Sequence, residues 1–198
     1  MILLKTKYIF LFAVVLNSII FSQQEEEFKN SILISSKAGY HSGFKPDRDY
    51  GFPGGFVWDA SLSFAASNSI IVGFKMELWN KNNIYRPIKG EEDISAISYS
   101  LNFRFRKSIF KIADLYIGAG LGNYIISRKY INPRNNNQKD NFTLFLLFGT
   151  NVKVHKNLFL TAECNVAGMI GKLDYGGGEP GPTFSSIKIG PTFLFKLK

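Results

Sequence analysis

A two-residue alternation running from Ser31 to Lys198 constrains this chain more than any other feature. In an extended strand, neighbouring side chains point to opposite faces, so the pattern gives each strand an apolar face and a polar or small one. Eight segments carry it: 31–40, 55–66, 69–80, 94–106, 115–127, 142–154, 158–169 and 183–197. The fourth is the cleanest. There Ile97, Tyr99, Leu101, Phe103 and Phe105 alternate with Ala96, Ser98, Ser100, Asn102 and Arg104. The sixth is apolar on both faces at its start. In the eighth, Pro191 cannot donate a ladder hydrogen bond, which predicts a bulge or local distortion. The 19 Phe and 9 Tyr suit β-structure.

The connections alternate in length. Short links around 67–68, at 107–114 and at 155–157 separate long ones at 41–54, 81–93, 128–140 and 170–182. Long loops on one side and tight turns on the other describe an up-and-down meander. The fold class expected is therefore all-β, an eight-stranded antiparallel up-and-down transmembrane β-barrel. Its even strand count returns both ends to one side. Parity supports the reading, because opposed residues in an antiparallel pair face the same way. Setting Ala65 against Ser69 places Asp59 opposite Lys75, and Val154 falls opposite Leu158.

Charge decides which face meets which medium. Lys37, Asp59, Lys75, Glu77, Arg104, Glu163 and Lys188 all fall on the polar strand face, with both signs represented. A lone charge in a low-dielectric wall costs several kcal/mol, so these residues are expected inside, as a paired charge network. The opposite face, rich in Phe, Leu, Ile and Val, is expected to meet lipid. Eight strands leave an interior just wide enough for side chains to fill, which argues against a general diffusion porin. A soluble lipocalin-like carrier shares the alternation and is the competing architecture. Tyr40, Phe56, Trp58, Trp79, Tyr124, Phe184 and Phe195 gather near strand ends. Those facing lipid are expected to form interfacial girdles, while Trp79 and Tyr124 point inward.

Residues 1–22 have the order of a secretory signal peptide: Lys5 and Lys7, an apolar run over 8–16, then Ser22 before Gln23. The barrel domain is expected to occupy 23–198. Without Lys5 and Lys7 the formal charge of +9 falls to +7, which suits contact with anionic head groups. Nucleic acid is not an expected partner of an exported chain without a binding motif. The single cysteine, Cys164, cannot form an internal disulfide and projects toward lipid on this register.

Chemical motifs are sparse. Gly118, Gly120 and Gly122 lack the third glycine and the helix of a dinucleotide fingerprint. They read instead as small lumen-facing residues. His41, Ser42 and Asp59 form a conceivable nucleophile–base–acid set at the outer end of the first strand. His155 lies in a short turn. Two distant His and one Cys give no metal-ligand spacing, so neither metal nor cofactor is expected.

The strand Gly118-Ala119-Gly120-Leu121-Gly122 and the terminal Gly190-Pro191-Thr192-Phe193-Leu194-Phe195, together with the leader, resemble the small outer-membrane β-barrel family. That family includes the OmpA-type transmembrane domain, the OmpX-type barrels and barrels of the "porin family". The resemblance implies an outer-membrane location with both termini periplasmic. It implies partners among outer-membrane lipids and lipopolysaccharide, the barrel-assembly machinery and an extracellular surface ligand. The function implied is non-enzymatic, structural or in surface interaction. A lipid A deacylase- or acyltransferase-like enzyme on the same barrel is the alternative.

Overall fold

The computed structural model describes residues 28–42, 54–86, 90–110, 112–130, 137–170 and 183–197. The leader (1–22) and most of the connections at 41–54 and 170–182 lie outside the described residues.

Eight strands follow one another: β1 (Ser31–His41), β2 (Gly55–Ala65), β3 (Ile70–Arg86), β4 (Gly90–Phe110), β5 (Ala113–Tyr130), β6 (Asn137–His155), β7 (Leu158–Met169) and β8 (Thr183–Lys196). Each pairs antiparallel with the next, and β8 returns to β1, so the sheet closes. Through the belt shared by all eight strands each strand has a neighbour on both sides, the condition for a sheet in lipid. The expected eight-stranded up-and-down barrel is what forms.

The strands are unequal. β1 and β2 have 11 residues each, whereas β4 has 21 and β6 has 19. The connections expected at 81–93 and 128–140 are largely strand, because β3 and β4 stay paired out to Arg86 and Gly90, and β5 and β6 out to Arg128 and Asn137. Backbone pairing continues there after the side-chain alternation has faded. A bulge between Lys81 and Ile84 marks the change. A span needs only ~9–11 residues, so β3 to β6 rise beyond the rest of the wall.

Two expected registers need correction. Ala65 opposes Ile71 rather than Ser69, so Asp59 faces Glu77, and Lys75 faces Ser61. The turn is longer than expected because Ser67 organises it: its Oγ accepts from the backbone N–H of Ser69 (3.2 Å) and Ile70 (3.0 Å). A shift of two residues preserves facing, so every side chain keeps its side. In β6–β7 the expected register holds from Lys153–Phe159 onward, but a bulge makes His155, not Val154, the partner of Leu158.

Pro191 produces no bulge. It pairs with Leu160 of β7 in unbroken register. On its other side the β1–β8 ladder lapses between Ser35–Thr192 and Ala38–Ile189 and resumes in the same register. The missing proline N–H is thus absorbed by local loss of pairing, and Gly190 lets the Ser36 carbonyl come close where a Cβ would collide.

Candidate functional site: the closed lumen

The two strand faces differ as polarity requires. Leu101, Phe103 and Phe105 of β4 are 50–65% exposed, whereas Ser100, Asn102 and Arg104 are at most 7% exposed. Leu121 on β5, Leu146 on β6 and Phe193 on β8 are likewise exposed, so the outer wall is a continuous apolar surface. This is the reverse of a soluble carrier barrel, which buries its apolar residues. Cys164 lies on the outer face, half-buried.

Inside, charged side chains cross the waist. Lys37 and Asp59 face each other across β1 and β2, and Glu163 faces Lys188 across β7 and β8. Lys37 Nζ lies 3.2 Å from Asp59 Oδ1 and 3.3 Å from Glu163 Oε2. Lys188 Nζ reaches Asp59 Oδ2 at 2.6 Å and Glu163 Oε1 at 3.7 Å, and bonds Glu77 Oε2. Lys75 Nζ stands 3.5 Å from Glu163 Oε1 and 3.9 Å from Glu77 Oε2. These three lysines and three carboxylates balance in charge, and their side chains are at most 1% exposed. Asp59 is paired with Lys37 and Lys188 rather than with Lys75 as expected, a consequence of the two-residue register shift.

Arg104, also expected in this set, stands to one side of the ion pairs. Its Nε donates to Asn102 Oδ1 (2.8 Å) and its Nη2 to Ser63 Oγ (3.2 Å). It connects to the waist through Tyr116. The guanidinium lies 5.6 Å from the Tyr116 ring centroid, and the Tyr116 hydroxyl donates to Glu163 Oε2 at 2.9 Å. Tyr124 donates to Glu77 Oε1 in the same way. The two tyrosines thus give one hydrogen bond each to Glu163 and Glu77, a role not foreseen for either, although Tyr124 was expected to point inward. Their one sequence signal is placement on the glycine face of β5. Gly118 and Gly120 stand opposite Arg104 and Asn102 of β4. A Cβ at either would meet a β4 carbonyl oxygen at 2.6 or 2.7 Å, so bare backbone there makes room for the β4 side chains.

Apolar layers close the lumen on both sides of the waist. Toward the long-loop end, Val57, Trp79, Ile94, Tyr124, Phe145 and Phe184 belong to one buried cluster. Trp79 and Tyr124 point inward as expected. Phe184 does too, although it was expected at the rim, because the outward residues of β8 are Ile187, Ile189, Phe193 and Phe195. Of the remaining girdle candidates, Tyr40, Phe56 and Phe195 face out, and Trp58 is half-buried with its indole N–H on Ser36 Oγ at 2.9 Å.

At the short-turn end, Phe28 is wholly buried with Leu33, Ala65, Ile71, Phe159 and Leu194. Asn30 makes this possible. With φ at 54° it takes the left-handed conformation that Asn tolerates, turning the chain back so that Phe28 enters the mouth. The Arg106 guanidinium covers the Phe28 ring at 3.7 Å and bridges to Asp114 Oδ1 at 2.7 Å.

The suspected catalytic set is not assembled. The His41 ring packs between Trp79 and Phe184, at 5.3 and 4.8 Å between centroids. Ser42 Oγ accepts from Ser185 Oγ and Ser185 N. His41 opposes Gly55, four residues along β2 from Asp59. At ~3.3 Å per residue that is about 13 Å, too far for an acid to orient the ring.

An apolar exterior, a closed antiparallel wall and a charged, filled interior define an eight-stranded transmembrane β-barrel. No protein-family model matches the chain, and no curated protein matches it in sequence. Solved structures do match. Neisserial surface protein A aligns with a TM-score of 0.66 and 15% identity, covering 84% of this chain and 100% of that one. The N-terminal β-barrel domain of Pseudomonas aeruginosa OprF gives 0.59 and 13%, covering 84% and 98%. Ail, the attachment invasion locus protein of Yersinia pestis, gives 0.54 and 16%, covering 82% and 98%. The chain thus has the fold of the small outer-membrane barrels.

Proposed function

We propose that this chain is an exported, integral outer-membrane barrel without catalytic activity, serving the envelope as a sealed wall element that carries a surface platform. The observation behind it is the waist. Six charged side chains with balanced signs fill the cross-section and are themselves covered at both ends by apolar layers. Such an interior leaves no continuous aqueous path for a general porin. Residues 1–22 direct export, both termini lie in the periplasm, and the long-loop end faces outward. On this orientation the raised parts of β3 to β6 form the platform for an extracellular ligand. Lipids and lipopolysaccharide surround the wall, and the barrel-assembly machinery inserts it.

Planar-bilayer recording of the purified chain tests the sealed lumen. Little or no steady conductance is the expected result, and large, stable porin-like currents would overturn it. Orientation is tested by adding trypsin to intact cells. Cutting is expected first within 128–140, which holds Arg128, Lys129, Arg134 and Lys139. Cutting confined to 107–114 would reverse the topology.

A further inference from the structure

The two ends of the barrel differ in charge. Among the described residues, six basic side chains stand at the short-turn end, Lys29, Arg106, Lys107, Lys153, Lys156 and Lys196, against one carboxylate, Asp114. At the long-loop end the exposed charges Lys81, Asp93, Lys129 and Asp140 mix both signs. Half of the six are engaged. Arg106 holds Asp114 at 2.7 Å, and Lys107 and Lys153 have partners of their own. Lys29, Lys156 and Lys196 are exposed, and none of them is ion-paired among the described residues.

The backbone brings these three together. Ser31 opposes Lys196 in register, and the Leu197 N–H donates to the Asn30 carbonyl at 2.9 Å, so Lys29 and Lys196 stand at adjacent strand ends. The Leu194 N–H donates to the Asn157 carbonyl at 2.9 Å, which sets Lys156 beside the end of β8. All three lie within two strand spacings of one another, about 10 Å. Their placement is aqueous rather than lipidic. Phe193, Phe195 and Leu197 point out of the wall, 45–51% exposed. Lys196 alternates with them and so falls on the side of the mouth. Lys29 follows Phe28, which is buried inside that mouth, and Lys156 occupies the β6–β7 turn. An apolar layer beneath a cluster of one sign keeps its field directed outward into solvent.

We propose that this basic rim is a docking surface for a periplasmic polymer carrying repeated carboxylates, the chemistry that the peptide stems of the cell wall present. The inference rests on the orientation proposed above, which turns the short-turn end toward the periplasm. Single exposed ion pairs contribute little, so three cations held close together discriminate in favour of an anion that repeats and can engage them at once. A phospholipid head group brings one phosphate and lies beside the wall, where Phe195 and Leu197 point, not over the mouth.

The test uses the folded full chain in nanodiscs of zwitterionic lipid, sedimented with purified peptidoglycan sacculi. The wild-type chain should co-sediment, and binding should fall as salt is added. Amidating the sacculus carboxylates should abolish it. The combined variant Lys29→Gln, Lys156→Gln, Lys196→Gln should weaken it about tenfold, the product of three small exposed contacts. Lys81→Gln with Lys129→Gln, at the other end, should leave it unchanged. Glu25, Glu26 and Glu27 lie near Lys29 in the sequence, and replacing them with Gln should leave binding intact or stronger. Heat-modifiable electrophoretic mobility verifies folding of each variant. No sedimentation of the wild-type chain, binding that survives amidation or the triple lysine variant, or binding lost with the three glutamates would overturn the proposal. Lysine-dependent binding to phosphatidylglycerol vesicles without binding to sacculi would assign the rim to the membrane surface and overturn it equally. These outcomes leave the barrel reading standing, because orientation is read separately by trypsin on intact cells.

Discussion

Along the inner face of β1, Leu33 packs in an apolar cluster with Phe28, Lys37 sits between two carboxylates, and His41 lies between aromatic rings. The waist and the two ends of one lumen are closed by different chemistry, and the difference teaches what each contributes. Burying ions costs several kcal/mol apiece, recovered only when every partner is present, so the waist adds little net stability but penalises any arrangement that leaves a charge alone. The ends work by area, excluding water through apolar burial that tolerates small errors of register. On this account the waist specifies which residues oppose which, and the ends keep water from reaching it.

Substitutions at four places sharpen or break that comparison. The largest effect is expected at Glu163, which contacts Lys37, Lys75, Lys188 and Tyr116. Glu163→Ala should destabilise the barrel by about 3–5 kcal/mol, read from urea unfolding in lipid vesicles. Replacing the opposed pair together, Glu163→Leu with Lys188→Leu, should recover at least about half of that loss. A double variant as unstable as the single one would mean that the ions contribute net stability, not only specificity. On the opposite face, Leu101→Arg puts a charge into lipid near the middle of β4 and should cost about 2–4 kcal/mol. The neighbouring Asn102→Ala should cost less, and equal losses would erase the distinction between faces.

At the short-turn end, Phe28→Ala should cost about 2 kcal/mol, below the 3–5 of an enclosed Phe because water can enter the space left behind. A loss as large as that at Glu163 would make the plug the dominant element. The smallest effect is expected for Arg106 and Asp114, joined at 2.7 Å near the mouth. A double-mutant cycle should give a coupling of about 1 kcal/mol that shrinks as salt is added. A salt-independent coupling would put this pair in the same class as the waist.

How much of this was legible in the sequence follows from what parity can and cannot see. The facing of Lys37, Asp59, Lys75, Glu77, Arg104, Glu163 and Lys188 depends only on odd and even positions, which a slip of two residues leaves intact. The partners within the set depend on the register itself. The Ser67 turn changed it, so Asp59 met Lys37 and Lys188 in place of Lys75. The raised parts of β3 to β6 were invisible because Lys81 to Arg86 pair by backbone where the sequence no longer alternates apolar and polar residues. Phe28 precedes the alternation altogether, and its burial depends on one left-handed residue, Asn30. The suspected set His41, Ser42 and Asp59 shows the opposite error: closeness in sequence and strand suggested a site that the spacing along β2 forbids.

The central claim is that one alternation separates lipid from a closed lumen, and a cysteine scan along β4 tests it most directly. In a Cys164→Ala background, single cysteines from 97 to 105 are labelled with an environment-sensitive fluorophore and reconstituted, then exposed to nitroxide-bearing lipids. The account predicts strong quenching at 97, 99, 101, 103 and 105 and weak quenching at 98, 100, 102 and 104, each variant checked for folding. Uniform quenching, or quenching strongest at the even positions, would contradict it.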